Sequence, residues 1–169
     1  MTFQVGEKIV YPNQGVGVIE NISTRSFGAS PEHFYLLRLN ANSMTIMVPF
    51  SHVTDIGLRK ITRNGAIGKV LVYLSSGRCR RHCDWKNRFK ENTEKMRSGS
   101  LLEVAEVLKS LLIQQSGKPL SFREKKMLDR ARQMLVTEIA SSRDLSALEA
   151  CEQLRRAVGK SALSFPEPL

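Results

Sequence analysis

The hydrophobic period of this 169-residue chain changes once, near residue 60. Before that point the apolar residues alternate in short runs, Glu7–Tyr11, Val16–Arg25, His33–Asn40 and Met44–Val48. Pairs such as Val16/Val18 and Tyr35/Leu37/Leu39 put one face of each strand inside. Turn residues separate the runs at Pro12-Asn13-Gln14-Gly15, Gly28-Ala29-Ser30-Pro31 and Asn40-Ala41-Asn42-Ser43. Beyond residue 60 the spacing becomes helical. Leu101, Val104, Ala105, Leu108, Leu111 and Leu112 form one stripe, as do Ile67, Val70, Leu71 and Leu74, and Leu128, Ala131, Leu135 and Ile139. Five helices are expected, at about 64–75, 85–97, 101–115, 122–141 and 146–158. Their starts carry the capping-box pattern at Ser100/Glu103, Ser121/Glu124 and Ser146/Glu149, and Gly99, Gly117 and Gly159 stand where C-caps are expected. The fold class is therefore α+β. A small antiparallel, barrel-like β domain over 1–60 precedes a compact five-helix bundle over 61–169, with a frayed tail after 158.

Charge follows the same division. The chain carries 26 Lys+Arg and 16 Asp+Glu, a net charge of +10. Residues 1–62 hold five basic and four acidic residues, so nine of the ten excess charges lie in 63–169. Arg78, Arg80, Arg81, Lys86, Arg88, Lys90, Lys95 and Arg97 face only Asp84, Glu91 and Glu94 within 78–97. A solvated helix face is the plain reading of such a run. The asymmetry between halves favours a polyanion site, with nucleic acid the usual partner. The helix at 85–97 has few apolar positions, Trp85, Phe89 and Met96, and Asp84 is its N-cap candidate. Periodicity leaves Trp85 open between a core anchor and an exposed aromatic suited to stacking or wedging at an unstacked base step.

Other chemistries are poorly served. Cys79-Arg80-Arg81-His82-Cys83 offers three ligands within five residues, where structural zinc wants four, usually in separated pairs. Three cysteines cannot all pair, so a reducing compartment is expected. The N-terminus lacks the pattern of a secretory signal, and no run of about 18 apolar residues occurs. No phosphate loop, dinucleotide fingerprint, zinc-protease or nucleophile-elbow motif is found, and His33, His52 and His82 lack catalytic neighbours in sequence. No enzyme, cofactor or metal is expected.

Several stretches stand out by their order. In the first half they are 3–17, which includes Val10-Tyr11-Pro12-Asn13-Gln14-Gly15-Val16-Gly17, then Thr45-Ile46-Met47-Val48-Pro49, then Gly57-Leu58-Arg59. In the second they are Trp85-Lys86-Asn87-Arg88-Phe89-Lys90, Glu94-Lys95-Met96-Arg97-Ser98-Gly99, Ala105-Glu106-Val107-Leu108 and 120–128. In these stretches, taken together over about 1–158, the chain resembles the CarD/CdnL family of bacterial RNA polymerase-binding transcription regulators.

The resemblance implies a Tudor-like β domain that docks on the RNA polymerase β subunit, at its protrusion or β1 lobe. It also implies a helical domain at the upstream edge of the −10 bubble of promoter DNA, where a tryptophan at the position of Trp85 wedges into the minor groove. By the family pattern docking falls on Arg25 and on Met47, Val48 and Pro49. DNA contact is assigned to Trp85, Lys86, Arg88, Lys90 and Arg97, with Arg78, Arg80 and Arg81 before the helix. Met47 and Asn87 stand where some relatives carry a basic residue, so docking at Met47 is apolar and one phosphate contact is absent at Asn87. The expected protein is a cytoplasmic monomer, nucleoid-associated through polymerase, that stabilises the open promoter complex. Two rivals remain: a general nucleic-acid accessory module without polymerase contact, and a redox or metal sensor using Cys79, His82 and Cys83.

Overall fold

The structure is a computed structural model that describes residues 2–12, 14–28, 30–40, 42–76, 85–98 and 100–167, without the side chains of Phe27, Trp85 and Lys86. The chain divides into two compact units, Met1–Ile61 and Thr62–Leu169. The first is a five-stranded antiparallel sheet in the order β4-β3-β2-β1-β5, formed by β1 (Lys8–Tyr11), β2 (Gly15–Phe27), β3 (Ser30–Leu39), β4 (Thr45–Pro49) and β5 (Arg59–Lys60). A 3-10 turn at Phe50–His52 and one helical turn, α1 (Val53–Ile56), join β4 to β5. The second unit holds α2 (Asn64–Ser76), α3 (Trp85–Ser98), α4 (Leu101–Gly117), α5 (Phe122–Arg143) and α6 (Ala147–Gly159). The α+β order and the five helices after the sheet agree with the sequence. No helix among the described residues is long and apolar enough to cross a membrane.

The sheet is dominated by the β2–β3 hairpin, whose register shifts between Ile19 and Asn21. Such a bulge bends a strand and increases its twist. One face closes over a core of Phe3, Ile9, Ile19, Tyr35, Leu37, Leu39, Val48, Val53 and Leu58. Tyr35 is its centre. Its ring meets Phe3 edge-on at 5.6 Å and stacks on Phe50 at 4.2 Å. Its hydroxyl accepts a hydrogen bond from the Phe3 backbone N–H at 3.0 Å, which satisfies a buried donor. On β2 Ile19 belongs to this core and Gly17 faces Leu37; Val16 is buried, as expected, whereas Val18 is half-buried. Gly17 has no room for a Cβ, which would lie 2.6 Å from Leu37 Cδ1 and 2.8 Å from the Arg38 carbonyl.

The helical core contains all the expected stripe residues of α4 and α5, and Ile67, Val70 and Leu74 of α2, with Leu71 packed at its margin. The caps diverge from the sequence pattern. Ser146 and Glu149 form the full reciprocal box. Ser121 accepts from the Glu124 N–H, while Ser100 makes no side-chain cap. The Glu103 carboxylate accepts from the Ser98 hydroxyl instead. Gly117 and Gly159 are the last residues of α4 and α6 rather than left-handed caps, and α5 ends on Asp144 at φ 52°. The tail also departs from expectation. Leu163 and Phe165 pack against the helical core, and Ser161 Oγ donates to the Leu74 carbonyl at 2.8 Å, so 160–167 is docked rather than frayed.

Candidate protein and nucleic-acid interfaces

In the sheet unit, the candidate docking residues occupy two neighbouring places. β4 is an edge strand, paired with β3 on one side. Side chains alternate along it, so the pairings Tyr35↔Val48, Leu36↔Met47 and Phe34↔Pro49 decide which way each points. Val48 is fully buried in the core beside Tyr35. Its side chain therefore contributes to folding, and any part it takes in docking runs through its main chain. Met47 and Pro49 are half-buried on the opposite face. Arg25 pairs with Glu32 in the β2–β3 register, which places it on that same face, and it is exposed. The Glu32 carboxylate accepts from Ser51 Oγ at 2.7 Å. The sheet thus offers an exposed cation, two partly covered apolar side chains and a strand edge with outward main-chain groups, the usual parts of strand-addition recognition.

In the helical unit, the described part of α3 runs from Trp85 to Ser98. Arg78, Arg80 and Arg81 lie outside the described residues, as do Cys79, His82 and Cys83 of the candidate sensor and the cap candidate Asp84. Lys86 belongs to α3 by its backbone. Lys90 and Arg97 are exposed, seven residues apart and so two turns along one side of the helix. Asn87, on a neighbouring row, is exposed as well.

Arg88 is placed differently from its neighbours. Its side chain is 14% exposed and lies against Glu124 of α5, which is 5% exposed, with Nη2 at 3.3 Å and Nε at 3.4 Å from Oε2. Glu124 also takes Gln114 Nε2 at 3.3 Å and Ser121 Oγ at 3.2 Å. Arg88 therefore joins α3 to α5. A second ion pair, Lys95 to Glu106 at 3.0 Å, joins α3 to α4. Met96 is buried, and so is Asn92.

The structure adds residues that the helix-by-helix reading did not single out. The start of α5 lies beside α3, with the Arg123 guanidinium 5.1 Å from the Phe89 ring. Phe122 is 68% exposed and carries the Lys126 ammonium 4.7 Å from its ring. Lys118, Arg123, Lys125 and Lys126 are all exposed there, while the carboxylate among them, Glu124, is turned inward to Arg88. A cationic surface with an accessible aromatic at a helix N-terminus suits an anionic polymer. The signal was present in the sequence as Phe122-Arg123-Glu124-Lys125-Lys126, but its link to α3 is a tertiary fact.

Comparison with known proteins bears on both surfaces. Residues 3–62 match the family described as the CarD-like/TRCF RID domain, and residues 69–155 match the CarD C-terminal domain. The chain is 36% identical over 137 residues to the candidate transcription factor YdeB of Bacillus subtilis strain 168, covering 81% of this chain and 90% of that relative. Two solved N-terminal domains from Myxococcus xanthus are also similar. CdnLNt is 41% identical, covering 36% of this chain and 86% of its own, with a TM-score of 0.32. The 72-residue N-terminal domain of CarD is 34% identical, covering 35% and 79%, with a TM-score of 0.31.

Proposed function

The chain belongs to the CarD family of transcription-associated factors, and from that premise we propose that it docks on the RNA polymerase β subunit and stabilises the open promoter complex. The observation that carries this reading is the coincidence of two boundaries. The CarD-like/TRCF RID match covers the sheet unit, the CarD C-terminal match lies within the helical unit, and nine of ten excess charges fall on the second. A near-neutral sheet with an open edge fits a protein partner; a basic helical surface fits DNA.

Docking uses Arg25, Met47, Pro49 and the main chain of β4, against the protrusion or β1 lobe of the β subunit. With Met at position 47 the contact there is apolar. The DNA surface consists of Trp85, Lys86, Lys90 and Arg97 of α3 with Arg78, Arg80 and Arg81 before it, extended by Lys125 and Lys126. Arg88 serves this surface indirectly, by fixing α3 on α5. The DNA lies at the upstream edge of the −10 bubble, where Trp85 wedges into the minor groove and opposes collapse. The protein performs no chemistry. It binds the open complex more tightly than the closed one, and only that difference shifts the equilibrium. A preference of about 1.4 kcal/mol changes the open-to-closed ratio about tenfold.

The test is open-complex lifetime with purified polymerase. Trp85→Ala is expected to shorten the lifetime toward that of polymerase alone, with capture by the β subunit unchanged. An unaltered lifetime removes the wedge. Failure of the wild-type chain to be captured by polymerase removes the docking and leaves a general nucleic-acid module. Lys90→Ala and Lys126→Ala are each expected to weaken DNA binding across sequences and to reduce the salt slope by about one.

A further inference from the structure

Beyond α6 the chain turns back along the bundle. The Leu163 N–H donates to the Val158 carbonyl at 3.1 Å, and the Ala162 N–H donates to the Gly159 carbonyl at 3.0 Å. This nested pair is a Schellman arrangement, which puts the residue between them and the tail in the left-handed region. Ala162 takes that place at φ 57°, a conformation that favours glycine. Just before it, Ser161 Oγ donates to the Leu74 carbonyl at 2.8 Å, in the last turn of α2. That satisfies an acceptor which the end of a helix leaves open. Leu163 and Phe165 then pack against the helical core, and Pro166 biases Phe165 toward extended backbone.

This course brings the tail to the first half of α5. Lys125, Leu128 and Asp129 of α5 line one cavity of about 440 Å³ together with Phe165, Pro166 and Glu167 of the tail. The tail introduces a charge of the opposite sign there. Residues 118–128 hold four cations, Lys118, Arg123, Lys125 and Lys126, and one carboxylate, Glu124, which is turned onto Arg88. Asp129 is engaged along its own helix: Oδ1 accepts from Arg132 Nη2 at 3.0 Å and Oδ2 from Gln133 Nε2 at 3.0 Å. Glu167 is exposed, and it reaches the cavity shared with Lys125 because the tail is docked.

We propose that 163–167 is an autoinhibitory strap, anchored by Leu163 and Phe165, which holds the Glu167 carboxylate beside Lys125 in competition with a DNA phosphate. The proposal rests on the reading given above, in which Lys125 and Lys126 extend the DNA surface. A docked strap and a bound phosphate bring like charges to one lysine, so each opposes the other. The coupling is reciprocal: releasing the strap strengthens DNA binding, and DNA binding loosens the strap. A short segment held by two half-buried side chains belongs to the low-stability parts of a fold, which open locally. Coupling between exposed charges of this kind reaches about fivefold at most, and salt screens it.

The experiment uses the full chain as wild type, Glu167→Gln, Phe165→Ala and the double variant. Asp55→Asn, on an exposed residue of the sheet unit, removes the same charge elsewhere. Backbone 15N order parameters of the free protein come first, because they need no partner. Leu163 and Phe165 are expected at about 0.85 in wild type and in Glu167→Gln, and Leu163 below about 0.6 in Phe165→Ala. Low values in wild type overturn the strap. Affinity for a short DNA duplex, without polymerase, is then measured at low salt. Glu167→Gln and Phe165→Ala are each expected to bind about threefold more tightly, with the gain fading as salt rises. The double variant is expected to gain no more than either single one, because both remove the same carboxylate from Lys125. A gain absent from either single variant, or equalled by Asp55→Asn, overturns the competition, and duplex binding by wild type then leaves the reading of function standing. Should Phe165→Ala fail to fold, Glu167→Gln decides, since its side chain is exposed. If neither wild type nor any variant binds duplex, the reading of a DNA surface fails and the competition falls with it.

Discussion

Arg88→Ala separates a structural from a functional role for the basic run of α3. The sequence groups Arg88 with Lys86 and Lys90 as a phosphate contact, whereas the structure turns it onto Glu124. Removing one partner of a fully buried ion pair costs about 3–5 kcal/mol, because the remaining charge is left uncompensated. Three observations place this pair below that range. Arg88 retains 14% exposure. Its contacts, at 3.3 and 3.4 Å, are longer than the roughly 2.7–2.9 Å typical of charge-assisted bonds. Glu124 also keeps donors from Gln114 and Ser121. A loss of about 2 kcal/mol follows, within the usual cost of stranding a buried polar group. For a unit of this size that lowers Tm by about 8 °C.

The assay is thermal unfolding followed by helical circular dichroism, with Arg88→Ala, Glu124→Gln and the double variant forming a cycle. The double variant is expected to recover part of the loss, since a neutral carboxamide at position 124 needs no cation; the coupling should reach about 1 kcal/mol. DNA binding is then measured well below the lower Tm, where all variants are folded, and the slope of affinity against salt is expected to match wild type. An unchanged Tm together with a salt slope reduced by about one would refute the reasoning. It would mean that the guanidinium reaches phosphate and that its contact with Glu124 contributes nothing.

Two further predictions concern folding. Gly17→Ala inserts a methyl 2.6 Å from Leu37 Cδ1 and 2.8 Å from the Arg38 carbonyl. Backbone cannot yield as a side chain can, so destabilisation of about 1–3 kcal/mol is expected in denaturant unfolding; wild-type stability would show that the hairpin relaxes freely. Ser146→Ala removes a complete capping box and should cost about 1 kcal/mol, whereas Ser100→Ala should cost a few tenths at most, because that hydroxyl makes no cap. Equal losses in the two would contradict the observed difference in capping.

The helical half was largely legible because its signals are local. A stripe such as Leu128, Ala131, Leu135 and Ile139 needs only a helix to become one face, and all four residues are buried. Helix ends depend on more than the neighbouring sequence. Ser100 and Glu103 have the right spacing, but the Glu103 carboxylate finds the Ser98 hydroxyl instead. Asp144 closes α5 in the left-handed region with no glycine to announce it. The tail was misjudged because Leu163 and Phe165 have no period, and their place against the bundle is a tertiary contact. In the sheet half, alternation alone does not give the phase. The bulge after Ile19 resets it on β2, and pairing with Tyr35 assigns Val48 to the core. The same limit governs the sites. Grouping by proximity along the chain collects Lys90 and Arg97, which are both exposed. It also collects Arg88, which is turned onto Glu124, and it does not reach Phe122 and Lys126, which are exposed far along the chain on another helix.

The fate of Arg88 follows from the composition of α3. A helix that presents lysine and arginine outward still needs an inner side. In α3 that side has only Met96 fully buried among its described apolar residues, with Phe89 half-covered. Burying a methionine contributes about 1.5–3 kcal/mol, against an ordering cost of about 1–2 kcal/mol for each of its 14 residues. Backbone hydrogen bonds offset part of that cost, but a helix this short and polar is marginal by itself. Its position therefore depends on polar contacts with α4 and α5, which are richer in apolar burial: Arg88 to Glu124, Lys95 to Glu106 and Ser98 to Glu103. Two of these contacts are made by cations of the same basic segment, Arg88 and Lys95. Charge on α3 thus has two uses, and exposure divides them. The residues turned inward hold the helix, and those turned outward, Lys90 and Arg97, remain available to an anionic partner.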